Sequence, residues 1–112
     1  MLLLPEIISQ QDGAGPAIET NQAAEPLTLT LEITAAQEQQ GLEVSVYGSA
    51  DGETWLERPL ARFPWRSYVG RYSLPLDLRK MPQVKHLKAA WRMRRLTTES
   101  VDPVFSFRVA MG

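Results

Sequence analysis

The 112-residue chain contains no cysteine and a single histidine, His86. Without thiols there is no disulfide framework, no Cys-ligated zinc and no thiol nucleophile, and one imidazole cannot build a His-rich metal centre. Long apolar runs are also missing, since no stretch approaches the ~20 apolar residues of a membrane-spanning helix. Met1-Leu2-Leu3-Leu4 is followed at once by Pro5 and Glu6 and has no basic segment before it. Neither a signal peptide nor a transmembrane segment is therefore expected, and the expected location is cytoplasmic or wherever an assembly carries the chain, with no membrane partner. The length suits one domain, residues 1–112, with 9–26 as a loop or edge segment.

Basic residues are absent from the first half. Residues 1–57 hold ten acids and no Lys or Arg, whereas residues 58–112 hold all twelve Lys and Arg against Asp77, Glu99 and Asp102. Two arrangements satisfy this split. Acidic and basic strands can interleave and neutralise one another locally, or they can form opposed faces that favour head-to-tail self-association within the Debye range of ~8–10 Å.

What is present in abundance is a two-residue rhythm. Leu27, Leu29, Leu31 and Ile33 alternate with Thr28, Thr30, Glu32 and Thr34, the period of a half-buried strand. Alternation resumes at Leu42, Val44 and Val46 after the polar AAQEQQG, so these two strands are expected to pair as a hairpin. Ser49-Ala50-Asp51-Gly52-Glu53-Thr54-Trp55 supplies an Asp-Gly turn, with Trp55 expected to cover the hairpin base. Pro59 and Pro64 make the next strand short, bulged or at an edge, and Pro75 points the Tyr72–Leu78 run to an edge or to an outward-facing amide position. Residues 79–85 read as a connection, and Phe105, Phe107, Val109 and Met111 alternate to the end. Residues 83–96 fit a strand, which separates Leu87, Ala89, Trp91 and Met93 from the basic side chains, although Leu87, Ala90, Trp91 and Arg94 also share a helical face.

With Leu2–Ile8 as the first strand, about seven or eight strands result, the pattern of an all-β antiparallel β-sandwich or jelly roll. Its expected core is Leu29, Leu31, Ile33, Leu42, Val44, Val46, Leu74, Leu76, Leu87, Trp91, Phe105, Phe107 and Val109. At roughly 1.5–3 kcal/mol per large buried side chain, this set suffices without disulfides or metal.

Catalytic sets are poor. His86 sits in a basic neighbourhood that disfavours the imidazolium a triad base must become. Most acids fall on solvent-facing strand positions or in loops, which is unsuited to a desolvated carboxylate pair. Asp12, Asp51 and Glu53 lack the dense spacing of a calcium loop, and Gly13-Ala14-Gly15-Pro16 is too short to cradle phosphate. No catalytic residues, metal or cofactor are expected. The candidate binding residues are instead Phe63, Trp65, Arg66, Tyr68, Arg71 and Tyr72, where rings interleave with guanidinium groups. Such a stretch suits a protein partner, or carbohydrate as the alternative ligand, and equally rings that fold back onto the sandwich end as plain packing. Nucleic acid is disfavoured because ten acids repel a polyanion unless they face away.

LTLTLEITAA, LEVSVYGSADGETW, KHLKAAWRMR and DPVFSFRVAMG together resemble small single-domain β-sandwich proteins of tailed phages and prophages. Those proteins share a Thr-rich strand, a Ser-x-Asp-Gly-x-Thr-Trp hairpin, an Arg/Trp strand and a Phe-x-Phe-x-Val ending. The hairpin is also similar to that of discoidin-type galactose-binding-like domains, whereas the sialidase Asp-box has a residue between Asp and Gly. The resemblance implies a non-enzymatic structural component of a virion or of its assembly. The chain departs from the pattern in its Arg/aromatic stretch at 63–72 and in the strength of its charge split.

Overall fold

The computed structural model describes residues 2–20, 26–36, 40–79, 81–95 and 104–112. Part of the turn expected at 35–41, and the charged residues Glu25, Glu38, Lys80, Glu99 and Asp102, lie outside the described residues. The strands are β1 (Leu2–Ser9), β2 (Gly13–Ala14), β3 (Ile18–Glu19), β4 (Leu27–Ala35), β5 (Gln40–Ser49), β6 (Ala61–Arg66), β7 (Gly70–Leu76), β8 (His86–Arg95) and β9 (Phe105–Met111). Among the described residues no helix is long and apolar enough to cross a membrane.

Two antiparallel sheets pack face to face. One has the order β1-β9-β4-β7, and the other has β2-β8-β5-β6 with β3 also paired to β8. Counting β2 and β3 as one interrupted strand gives eight, and this is the jelly-roll arrangement of a β-sandwich. Residues 13–19 of the 9–26 segment supply that interrupted edge. Residues 86–95 are strand throughout, because strand phase sends Leu87, Ala89 and Trp91 into the core while Lys88, Arg92 and Arg94 face outward.

One expectation is corrected. The Leu27 and Leu42 strands do not pair with each other: β4 lies between β7 and β9, and β5 lies between β6 and β8, in opposite sheets. Each strand has an apolar face to bury, and facing sheets let Leu29 and Val44 share one interior.

The expected core is buried, with Leu74 only partly so, and it extends to Leu3, Leu4, Phe63, Leu78, Val84, Ala89 and Met111. Trp91 meets Phe107 edge-on across it, with centroids 5.4 Å apart and planes at 75°. Its indole N–H donates to the Gln11 carbonyl at 3.0 Å, which ties the β1–β2 connection to β8.

Every sheet edge carries a proline. Pro5 lies in β1 at a register shift, Pro64 in β6 at another, Pro75 in β7 opposite Thr28, and Pro16 between β2 and β3. Proline cannot donate to a ladder, so each edge resists pairing with a further strand.

Candidate functional site

The six residues singled out at 63–72 do not form one surface. Phe63 is 1% exposed and belongs to the core, so as a binding residue it is corrected: it stands opposite Val44 and shares that side chain's inward direction. Trp65 faces outward from the five-stranded sheet. Arg71 faces outward from the other sheet, where it donates to Glu32 at 2.7 Å. Arg66 and Tyr72 point between the sheets, with the guanidinium 4.4 Å from the ring centroid. Consecutive residues of β6 and β7 alternate in direction, so a linear aromatic–arginine run is distributed to three places.

The turn that joins β6 to β7 holds the remaining candidate. Tyr68 is 74% exposed and its neighbour Val69 is 61% exposed. Beneath them, the Tyr72 hydroxyl donates to the Tyr68 carbonyl at 3.1 Å, and Arg66 stacks on the same Tyr72 ring. An aromatic–aliphatic tip is thus held out by a stacked base. Beside it runs an open cleft lined by Glu32, Ile33, Thr34, Val69, Gly70 and Arg71.

On the outer face of the four-stranded sheet, charge interleaves. Glu32 of β4 accepts from Arg71 of β7 and pairs with Arg108 of β9 at 3.0 Å. Glu6 of β1 accepts from the Thr34 hydroxyl. The Arg71 hydrogen bond, with Arg108 alongside, holds the Glu32 carboxyl below its usual pKa.

The five-stranded sheet has a different outer face. Arg94 stacks over the Trp65 ring at 4.2 Å, and Lys88 stacks over Trp55 at 4.5 Å. Gly41 lies under the first pair, where a Cβ would stand 3.2 Å from the Trp65 ring. Arg92 stands opposite Glu43, Lys88 opposite Tyr47, and Arg62 opposite Ser45. Sequence reasoning missed this cluster. The polar phase of β8 was legible, but the neighbours that bring Arg62, Trp65 and Trp55 beside it come from distant segments.

At the far end of that sheet, Ser49 and Asp51 order the turn. The Asp51 Oδ1 accepts from the Glu53 and Thr54 amides at 2.8 Å each, and the Ser49 hydroxyl bonds the Thr54 carbonyl at 2.6 Å. The Thr54 and Glu53 amides and the Ser49 hydroxyl lower the Asp51 pKa to about 2. Trp55 bridges back to Ser49, closing the hairpin base as its position suggested.

Asp12 does not meet Asp51 or Glu53. Its Oδ1 accepts from the Met93 amide at 2.7 Å, whereas the Asp51 turn adjoins Ser49 and thus His86. His86 to Met93 spans about 23 Å at about 3.3 Å per residue. Among the described residues, no three His, Cys, Asp or Glu side chains are grouped to hold a metal ion. The His86 ring lies against Gly52, and residue 86 pairs with Glu19.

In comparisons with known proteins, the chain matches no family model, no curated protein and no solved structure.

Proposed function

We propose that the chain is a non-enzymatic protein-interaction domain of a virion or its assembly, and that the Tyr68–Val69 tip is its anchor. The observation that carries this reading is the exposed tip itself. A tyrosine and a valine stand out at the end of the sandwich on a base fixed by the Arg66–Tyr72 stack and the Tyr72–Tyr68 hydrogen bond. Aromatic anchors held in place before binding lose little entropy on docking and dominate interface energetics. The resemblance to tailed-phage proteins supports a virion context, and jelly rolls recur in viral capsid domains. Fold analogy contributes only to that context, because fold does not dictate function.

The test is co-expression with the products of the flanking genes. A complex that survives size-exclusion chromatography, and that Tyr68→Ser with Val69→Ser abolishes at unchanged melting temperature, supports the proposal. A chain that stays monomeric in every such mixture contradicts it.

A further inference from the structure

We infer that the outer face of the five-stranded sheet binds single-stranded nucleic acid. The inference is independent of the tip at Tyr68 and rests on three features of that face.

The first is cation placement. Lys88, Arg92 and Arg94 project from one side of β8, and side chains two residues apart on a strand recur at roughly 6.6 Å. Arg62 of β6 adds a fourth cation across the sheet, beyond Ser45 of the central strand. Arg62, Arg92 and Arg94 are exposed. They form a line of positive charge that can track a phosphate backbone.

The second is the position of the acids. The acid-rich first half argues against a polyanion only if its carboxylates share this surface. Among the described residues they mostly do not. Glu6 and Glu32 belong to the opposite sheet, and Asp51, Glu53 and Glu57 to the loop beyond Ser49. Asp12 sits at the β8 edge with an oxygen committed to the Met93 amide, and Glu19 lies at the far corner opposite His86. Glu43, 8% exposed and opposite Arg92, is the acid in the middle of the face, and Glu19 shares the outward phase of His86 and Lys88 at its corner.

The third is aromatic. Half-buried Trp65, Tyr47 and Trp55 run along the same face, and Arg94 and Lys88 stack on the two indoles. Between them the floor is small, made by Gly41, Ser45 and Ala90. The Tyr47 ring and the guanidinium planes offer stacking to any base, and the small floor lets a strand approach the sheet. Such a surface binds without reading sequence. A duplex, whose bases are already stacked, gains only the charge contribution.

The experiment titrates the full chain into a fluorescein-labelled oligothymidylate of ~16 nucleotides and reads anisotropy between ~50 and ~200 mM salt. Four phosphate contacts on a single strand predict a log–log slope of about −3, an affinity loss of about 50-fold over that range. R92S with R94S flattens the slope by about 1.4, leaving a loss of about 7-fold, while Arg92→Lys with Arg94→Lys retains the wild-type slope. Tyr68→Ser leaves binding unchanged. If R92S/R94S melts early, Arg62→Ser on the edge strand carries the same test with a slope change of about 0.7. Absence of binding at ~50 mM salt, or binding that these substitutions leave untouched, overturns the inference. So does poly-L-glutamate competing as well as unlabelled oligothymidylate, because the face is then a site for acidic protein.

Discussion

Arg66 and Tyr72 form a stacked pair between the two sheets, 4.4 Å from guanidinium carbon to ring centroid, although five residues that include a turn separate them in the chain. The pair joins the end of β6 to the start of β7, strands of opposite sheets, and so fixes the corner from which Tyr68 and Val69 project. The Arg66 Nε is buried without a hydrogen-bond partner, so the ring supplies the electrostatic compensation there.

Tyr72→Phe keeps the ring and the stack but removes the hydroxyl that donates to Tyr68. Stability is expected to fall by about 0.5–1 kcal/mol in urea unfolding, the low end for a hydrogen bond because this one is solvent-accessible. Amide exchange should accelerate at residues 68–70 and not in β5. Unchanged exchange there shows that the hydroxyl does not hold the tip.

Gly52→Ala is expected to destabilise by about 1–2 kcal/mol. Gly52 has φ +82°, where an L side chain is strained, and the added Cβ would stand 3.3 Å from the His86 ring. Thermal melting of the variant against wild type measures this. An equal or higher melting temperature contradicts the turn geometry.

Asp51 carries a pH dependence. Its pKa is lowered to about 2 in the folded chain, so the unfolded state binds the proton more readily. The stabilisation is complete above the ordinary Asp value of about 3.9 and is lost as pH falls through about 2. Stability of the wild type relative to Asp51→Asn is therefore expected to decline between about pH 4 and pH 2. Parallel acid-unfolding curves for the two proteins remove the effect from this residue.

Trp65→Ala separates packing from ligand stacking. The indole covers Gly41 and carries Arg94, so its loss exposes the central strand and is expected to lower the melting temperature by several degrees, in keeping with ~1–2 kcal/mol. A variant that melts like the wild type yet loses a signal on a glycan array favours the carbohydrate reading instead.

Phe107→Ala opens a cavity against Trp91 and is expected to cost about 3–5 kcal/mol, enough to unfold much of a domain of this size. Denaturant titration reads it, and a cost below ~1 kcal/mol would place the ring outside the core.

The sequence alone settled what depends on near neighbours in the chain. Strand identity outside residues 9–26 and 83–96, the inward phase of Leu29, Val44 and Phe107, the Asp51-Gly52 turn and the edge character of the Pro64 and Pro75 strands all follow from local backbone sterics and a two-residue period. Tertiary structure decided which strands became neighbours. It separated β4 from β5, sent Phe63 to the core, Trp65 and Arg71 to opposite surfaces and Arg66 to Tyr72, and set Arg62 and Trp65 beside the β8 cations. Pairing partners are chosen by burying every apolar face at once, a condition on the whole chain that no local stretch contains. A run of side chains contiguous in sequence was therefore scattered, and the basic aromatic face was assembled from segments with no visible relation.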